Sequence, residues 1–291
     1  MDLRAIGMGF AFALMWSSAF TSARIIVAAA PPLTTLSLRF FASGLLAVLI
    51  ARMLGQSFRL TPAQWRATIL FGICQNALYL GMNFVAMQTV EASLAAIIAS
   101  TMPLVVGLVG WLVLRERIGW MGQAGLILGV IGVVIIMGAR LQAGVDIWGV
   151  VLCVIGVLAL GFATLALRSA SSGGNLMAVV GLQMLIGGAV LAVFGAPFEA
   201  WEVTWSWQLI AAFTYTTLVP GLAATFVWFL LVERIGAVRA ATFHFLNPVF
   251  GVAIAAALLG ESLSLRDVVG VVVVTVAILL VQLARGDAKQ T

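Results

Sequence analysis

The sequence is short of charge. Of its 291 residues 9% are Asp, Glu, Lys or Arg and 63% are hydrophobic, and no water-soluble core absorbs that much apolar surface. It is equally short of the residue types from which catalytic and metal sites are built. There is one histidine, His244, and there are two cysteines, Cys74 and Cys153, each inside an apolar run, so no disulfide framework is called for. No HExxH helix and no P-loop occurs, no paired aspartates lie within an apolar run, and no spacing marks Ser100 and His244 as a dyad. The expectation is a protein that is not an enzyme and needs no cofactor or metal. The net charge of +5 would suggest a nucleic-acid partner in a soluble domain, but here the basic residues fall between apolar runs and read as topology signals.

What the sequence has in abundance is long apolar runs. A helix rises about 1.5 Å per residue, so crossing about 30 Å of hydrocarbon takes about 20 residues. Ten runs of that length, bounded by charge, Pro or Gly, predict ten spans: Arg4 to Val27, Leu33 to Leu54, Arg66 to Met87, Ala92 to Leu114, Trp120 to Gly138, Asp146 to Leu167, Leu176 to Ala196, Leu209 to Val232, Arg239 to Leu259 and Arg266 to Ala284. The Ala28-Ala29-Ala30 run imitates a leader-peptidase site, but the apolar stretch before it is longer than an ordinary leader core and reads as the first span.

With the N-terminus in the cytoplasm, the inner side collects Arg4, Arg52, Arg59, Arg66, Arg115, Arg117, Arg168, Arg234, Arg239, Arg285 and Lys289, eleven of the fifteen basic residues. The positive-inside bias therefore puts both termini in the cytoplasm. Most tryptophans fall near predicted helix ends, where an amphipathic indole is favoured; Trp16 is deep, and Trp228 lies about one turn from its helix end. Compact loops and the lack of any Asn-x-Ser/Thr acceptor suit a bacterial inner membrane.

The chain also repeats itself. A shift of 145 positions aligns helices three to five with eight to ten, laying Pro103 on Pro248, Glu116 on Glu261 and Gly125 on Gly270, and a shift of 144 lays Arg24 on Arg168 and Gly44 on Gly188. Each half, residues 1–141 and residues 142–291, holds an odd number of spans, so the second half must lie upside down relative to the first. The fold expected is an all-α polytopic membrane protein, ten transmembrane helices as two inverted five-helix repeats.

Ten short-looped helices in two repeats, with Pro103 thirteen residues before Glu116 and Pro248 thirteen before Glu261, resemble the EamA-type drug/metabolite transporter superfamily over essentially the whole chain. Within it, the sequence is most similar to the aromatic and neutral amino-acid exporters called YddG. That resemblance implies efflux of amino acids from the cytoplasm; composition and spacing do not.

Polar groups inside spans are expensive and are the first candidates for a site. Asn76, Tyr79 and Asn83 follow one another at i, i+3 and i+7 and are expected to share a helical face, either toward solute or as hydrogen-bonding glue between helices. Trp16 and Trp228 can offer a flat apolar or cation-attracting face, or simply pack. His244 is expected to line the same cavity, beside its plainer reading as a satisfied structural histidine, and leaves open a weak route for proton coupling. Pro103 and Pro248 are expected to loosen their helices near mid-membrane as hinges. Arg39, inside the second span, is expected to pair with a carbonyl or carboxylate near the outer end in a structural role, with substrate binding as the alternative. No carboxylate falls at a span centre, which favours facilitated diffusion or exchange by alternating access through a central cavity between the repeats. A carrier of another small neutral or drug-like solute is the alternative, and a channel a weaker one. The expected partners are a small-molecule substrate, an amino acid, and membrane lipids; oligomeric state is left open.

Overall fold

The computed structural model of the chain describes residues 3–112, 115, 119–166, 174–235, 240 and 243–287. Glu116, Arg117, Arg168, Arg239 and Lys289, used above for the repeat or the charge bias, lie outside the described residues, as do the expected helix ends at Leu114 and Leu167 and the side chains of Glu233 and Arg285.

All regular structure among the described residues is helical. The helices are α1 (Leu3–Val27), α2 (Pro32–Met53), α3 (Pro62–Phe71, continuing through Gly72–Tyr79 to Leu80–Ala86) and α4 (Ala92–Ser100, then Met102–Leu112). There follow α5 (Trp120–Gln142), α6 (Ile147–Ala166), α7 (Leu176–Phe194) and α8 (Trp207–Leu218, continuing through Val219–Ala223 to Ala224–Ile235). The last two are α9 (Phe243–Leu246, then Asn247–Leu259) and α10 (Leu265–Asp287). Nine of these, α1 to α8 and α10, are long and apolar enough to cross a membrane; α9, over Phe243–Leu259, is apolar but shorter.

Helix ends are set by local chemistry. At α3, the Thr61 hydroxyl accepts from the Gln64 backbone N–H at 3.3 Å, the Gln64 side chain accepts from the Thr61 N–H at 2.9 Å, and Pro62 occupies the first helical position. Ser206 caps α8 by accepting from Leu209 N–H at 3.2 Å. Two helices have no cap of their own and borrow a distant carboxylate. Glu199 accepts from the Leu33 and Thr34 N–H groups at 2.7 and 2.8 Å at the start of α2, and Glu261 accepts from Ala92 and Ser93 at 2.8 and 3.0 Å at the start of α4. A negative group at a helix N-terminus satisfies orphan donors and opposes the helix dipole, so each contact also ties two distant stretches of chain.

The chain divides into two compact units. The first comprises Met1–Thr21, Thr89–Val150 and Ala223–Thr291; the second comprises Ser22–Gln88 and Val151–Leu222. They cut across the halves 1–141 and 142–291. In the first unit α5 packs along α10 and α4 along α9; in the second α2 packs along α7. In every case a helix lies against the one that the 144- or 145-residue shift sets upon it.

Small residues make the pairings close. A Cβ on Gly125 would fall 2.9 Å from the Ala277 carbonyl oxygen, and one on Gly132 would fall 3.0 Å from the Val274 nitrogen, so the α5 glycines serve contacts within this chain. In the second unit, a Cβ on Gly187 would fall 2.4 Å from that of Asn76. Where α5 ends and α4 and α10 begin, buried Arg140 joins the three. Its Nε donates to Asp267 at 3.0 Å, one Nη meets Glu91, and the other lies 3.4 Å from the Ser93 hydroxyl.

Candidate substrate site

In the first unit, α1 presents Phe12 and Trp16 at an i, i+4 spacing, on one face. The last part of α8 brings Trp228, and the tight turn that opens α9 brings His244. Ring centroids of Phe12 lie 5.8 Å from Trp16, 4.8 Å from Trp228 and 5.2 Å from His244, and Trp228 lies 5.2 Å from His244. The three aromatic candidates picked from the sequence therefore gather around Phe12, a residue that sequence reading passed over. Its signal was present, one turn before Trp16.

The polar edge of this cluster is fixed by Asn247, also passed over although it immediately precedes Pro248. Its side-chain nitrogen lies 2.9 Å from His244 Nδ1; with that amide donating, the ring proton sits on Nε2. Ser17 on α1 donates to the Asn247 carbonyl at 3.2 Å. The Asn247 Oδ1 is buried and has no hydrogen-bond partner among the described residues.

Pro103 and Pro248 are both buried and both take the second position of a helical segment, after the breaks at Thr101 and Phe243–Leu246. Neither removes an N–H that its own segment needs, because the first turn has no intrahelical acceptor for it. The break lies just before each proline.

In the second unit the expected common face of Asn76, Tyr79 and Asn83 takes a different form. That expectation assumed 3.6 residues per turn, but Gly72–Tyr79 is π-helical, and the wider turn re-aims its side chains. Asn76 turns to α7, donating to the Gln183 carbonyl at 2.9 Å against Gly187. Asn83 and the Tyr79 backbone abut Gly156 of α6. The Asn83 amide donates to the Tyr79 carbonyl at 2.8 Å, and its Oδ1 is buried with no partner among the described residues. The six residues chosen as substrate contacts thus fall three to a unit.

Helix α8 has its own wide turn at Val219–Ala223, around Pro220. It lies within positions 217–224, which the 145-residue shift sets against Gly72–Tyr79. Such turns free backbone carbonyls inside a helix and concentrate at functional sites.

Apolar helices of membrane-crossing length, whose buried polar groups are mostly uncharged, define a multi-pass helical membrane protein. The EamA-like transporter family model matches residues 3–138 and again residues 147–283, and the chain belongs to that family. Over 269 residues it is 25% identical to the uncharacterized transporter YvbV of Bacillus subtilis, spanning 92% of this chain and 88% of that one. Over 290 residues it is 27% identical to the uncharacterized inner membrane transporter YedA of Escherichia coli K12, spanning 97% and 92%. It is 24% identical over 284 residues to the chloroplastic WAT1-related protein At3g02690 of Arabidopsis thaliana, spanning 94% of this chain and 68% of that one. A solved crystal structure with 21% identity superposes with a TM-score of 0.69 over 98% of this chain and 99% of its own, which shows a shared fold. A transporter role follows from the family.

Proposed function

We propose that the chain is a secondary transporter for small neutral metabolites, aromatic and other neutral amino acids first among them, exporting them by facilitated diffusion or exchange. Two inverted five-helix halves, residues 1–141 and 142–291, would alternate access to the solute, with both termini in the cytoplasm of a bacterial cell and the chain in its inner membrane.

The observation that carries this reading is the cluster of Phe12, Trp16, Trp228 and His244 beside the unpartnered Asn247 Oδ1. Aromatic faces receive an apolar side chain or attract an ammonium group, and an amide oxygen with no partner accepts from an N–H donor. The resemblance to YddG exporters points the same way. Pro103 and Pro248, at the breaks in α4 and α9, are the hinges in this reading, and Asn76, Tyr79 and Asn83 are also counted as substrate contacts, Asn83 with a buried Oδ1 that has no partner among the described residues.

The test is counterflow in proteoliposomes of the full chain, with labelled phenylalanine, threonine and methionine against a panel of sugars and phosphates. Amino acids should exchange and be accelerated by preloaded substrate. Movement of sugars or phosphates in their place would reassign the solute, and flux indifferent to preloading would mark a channel.

A further inference from the structure

Arg39 stands eight residues into α2, about 10 Å from the helix start, and is 6% exposed. Its Nε is buried without an acceptor, and among the described residues no carbonyl or carboxylate meets the guanidinium. The carbonyl or carboxylate partner expected near the outer end is not formed among the described residues. The Phe40 ring lies against the guanidinium, with its centroid 4.9 Å from Cζ. A single ring face offsets only part of the desolvation of a guanidinium, which cannot neutralise itself by losing a proton.

No described carboxylate is paired with Arg39. Glu91 and Asp267 are engaged by Arg140, Glu199 by the start of α2, Glu261 by the start of α4, and Asp146 by Thr89, Trp148 and Gly149, while Glu202 is exposed. A guanidinium is a five-donor fork matched to a planar carboxylate. We infer that the counterion of Arg39 arrives with the solute: Arg39 is the anchor for a substrate carboxylate. This rests on the amino-acid reading above for the identity of the anion.

The test uses purified full-length protein, in two assays. In counterflow, unlabelled phenylalanine and 3-phenylpropionate should compete with labelled phenylalanine, and phenylalaninamide, which lacks the carboxylate, should compete at least about tenfold less well. Arg39→Gln should bring phenylalanine down to the level of the amide, and Arg39→Lys should restore part of the preference. In thermal melting without solute, Arg39→Gln should match or exceed the wild type, since it removes an unpaired buried charge. Phenylalanine should then raise the melting temperature of the wild type and leave that of the variant unmoved.

Equal competition by acid and amide, or a full preference retained in Arg39→Gln, overturns the anchor and leaves amino-acid transport standing. Arg39→Gln melting well below the wild type without solute makes the arginine structural and also overturns it, as does Arg39-dependent stabilisation by chloride with carboxylates inert. Arg39-dependent stabilisation by 3-phenylpropionate with no exchange of any amino acid sinks the amino-acid reading and keeps the anchor. Neither stabilisation nor exchange by any carboxylate removes both.

Discussion

Phe12 meets Trp16, Trp228 and His244 at once, so its ring holds together side chains from three helices. It is 2% exposed, and truncating a buried Phe to Ala typically costs about 3–5 kcal/mol. Phe12→Ala should therefore lower the melting temperature sharply in detergent, and an unchanged melt would show that the cluster is not a packed unit. His244 differs, because it sits at the rim of the aromatic group with Asn247 on one nitrogen. His244→Ala should weaken amino-acid exchange while the yield of monodisperse protein stays near that of the wild type; unaltered exchange kinetics would return His244 to a packing role. Asn76 is the opposite case. Its amide bridges α3 to the α7 backbone, a type of bond worth about 0.6 kcal/mol on average in membrane bundles. Asn76→Ala should cost little stability and, if Asn76 is a substrate contact as proposed, should slow exchange; exchange left intact in a well-folded variant would make Asn76 a packing bridge alone.

At the scale of helices, stability rests on close approach and on charge held at helix ends. Gly187→Ala forces a Cβ to within 2.4 Å of Asn76 Cβ and 2.9 Å of the Gly72 carbonyl oxygen, neither of which is the free end of a flexible side chain. Overpacking of this kind costs about 1–3 kcal/mol, whereas Gly138→Ala, with open space around it, should melt like the wild type. Arg140 invites a double-mutant test. Removing one partner of a buried pair costs about 3–5 kcal/mol because the other charge is stranded, so Arg140→Met should destabilise more than Arg140→Met with Asp267→Asn. Helix positions were largely readable beforehand: α1 and α2 begin and end within one residue of the expected limits, since length and apolarity decide them. The π-helical turns in α3 and α8 were not, because a periodicity argument presumes the turn it is meant to find. The candidate site was legible in part for a related reason. Trp16, Trp228 and His244 announce themselves by chemistry, but Phe12 and Asn247 matter through neighbours more than 200 positions away, and no local pattern marks that.

For the whole chain, the decisive question is whether α9 crosses. Over Phe243–Leu259 it extends about 25 Å, slightly short of a hydrocarbon core of about 30 Å, while the other nine helices are long enough. If it crosses, the chain has ten spans and both termini share a side. If it does not, the termini are on opposite sides and the second five-helix half cannot be an inverted copy of the first. The packing argues for crossing, since α9 lies along α4, its partner in the 145-residue shift, as α10 lies along α5 and α7 along α2. Helices that pack side by side with their own counterparts, as these three pairs do, need those counterparts at the same depth. The same interleaving means that neither half can bury its faces alone. Reporter fusions should place both termini in the cytoplasm, and residues 1–141 or 142–291 expressed singly should fail to give a monodisperse product, whereas the two together should. Termini found on opposite faces, or a half that folds and melts cooperatively on its own, would remove the inverted repeat and with it the symmetric exchange of inward and outward access.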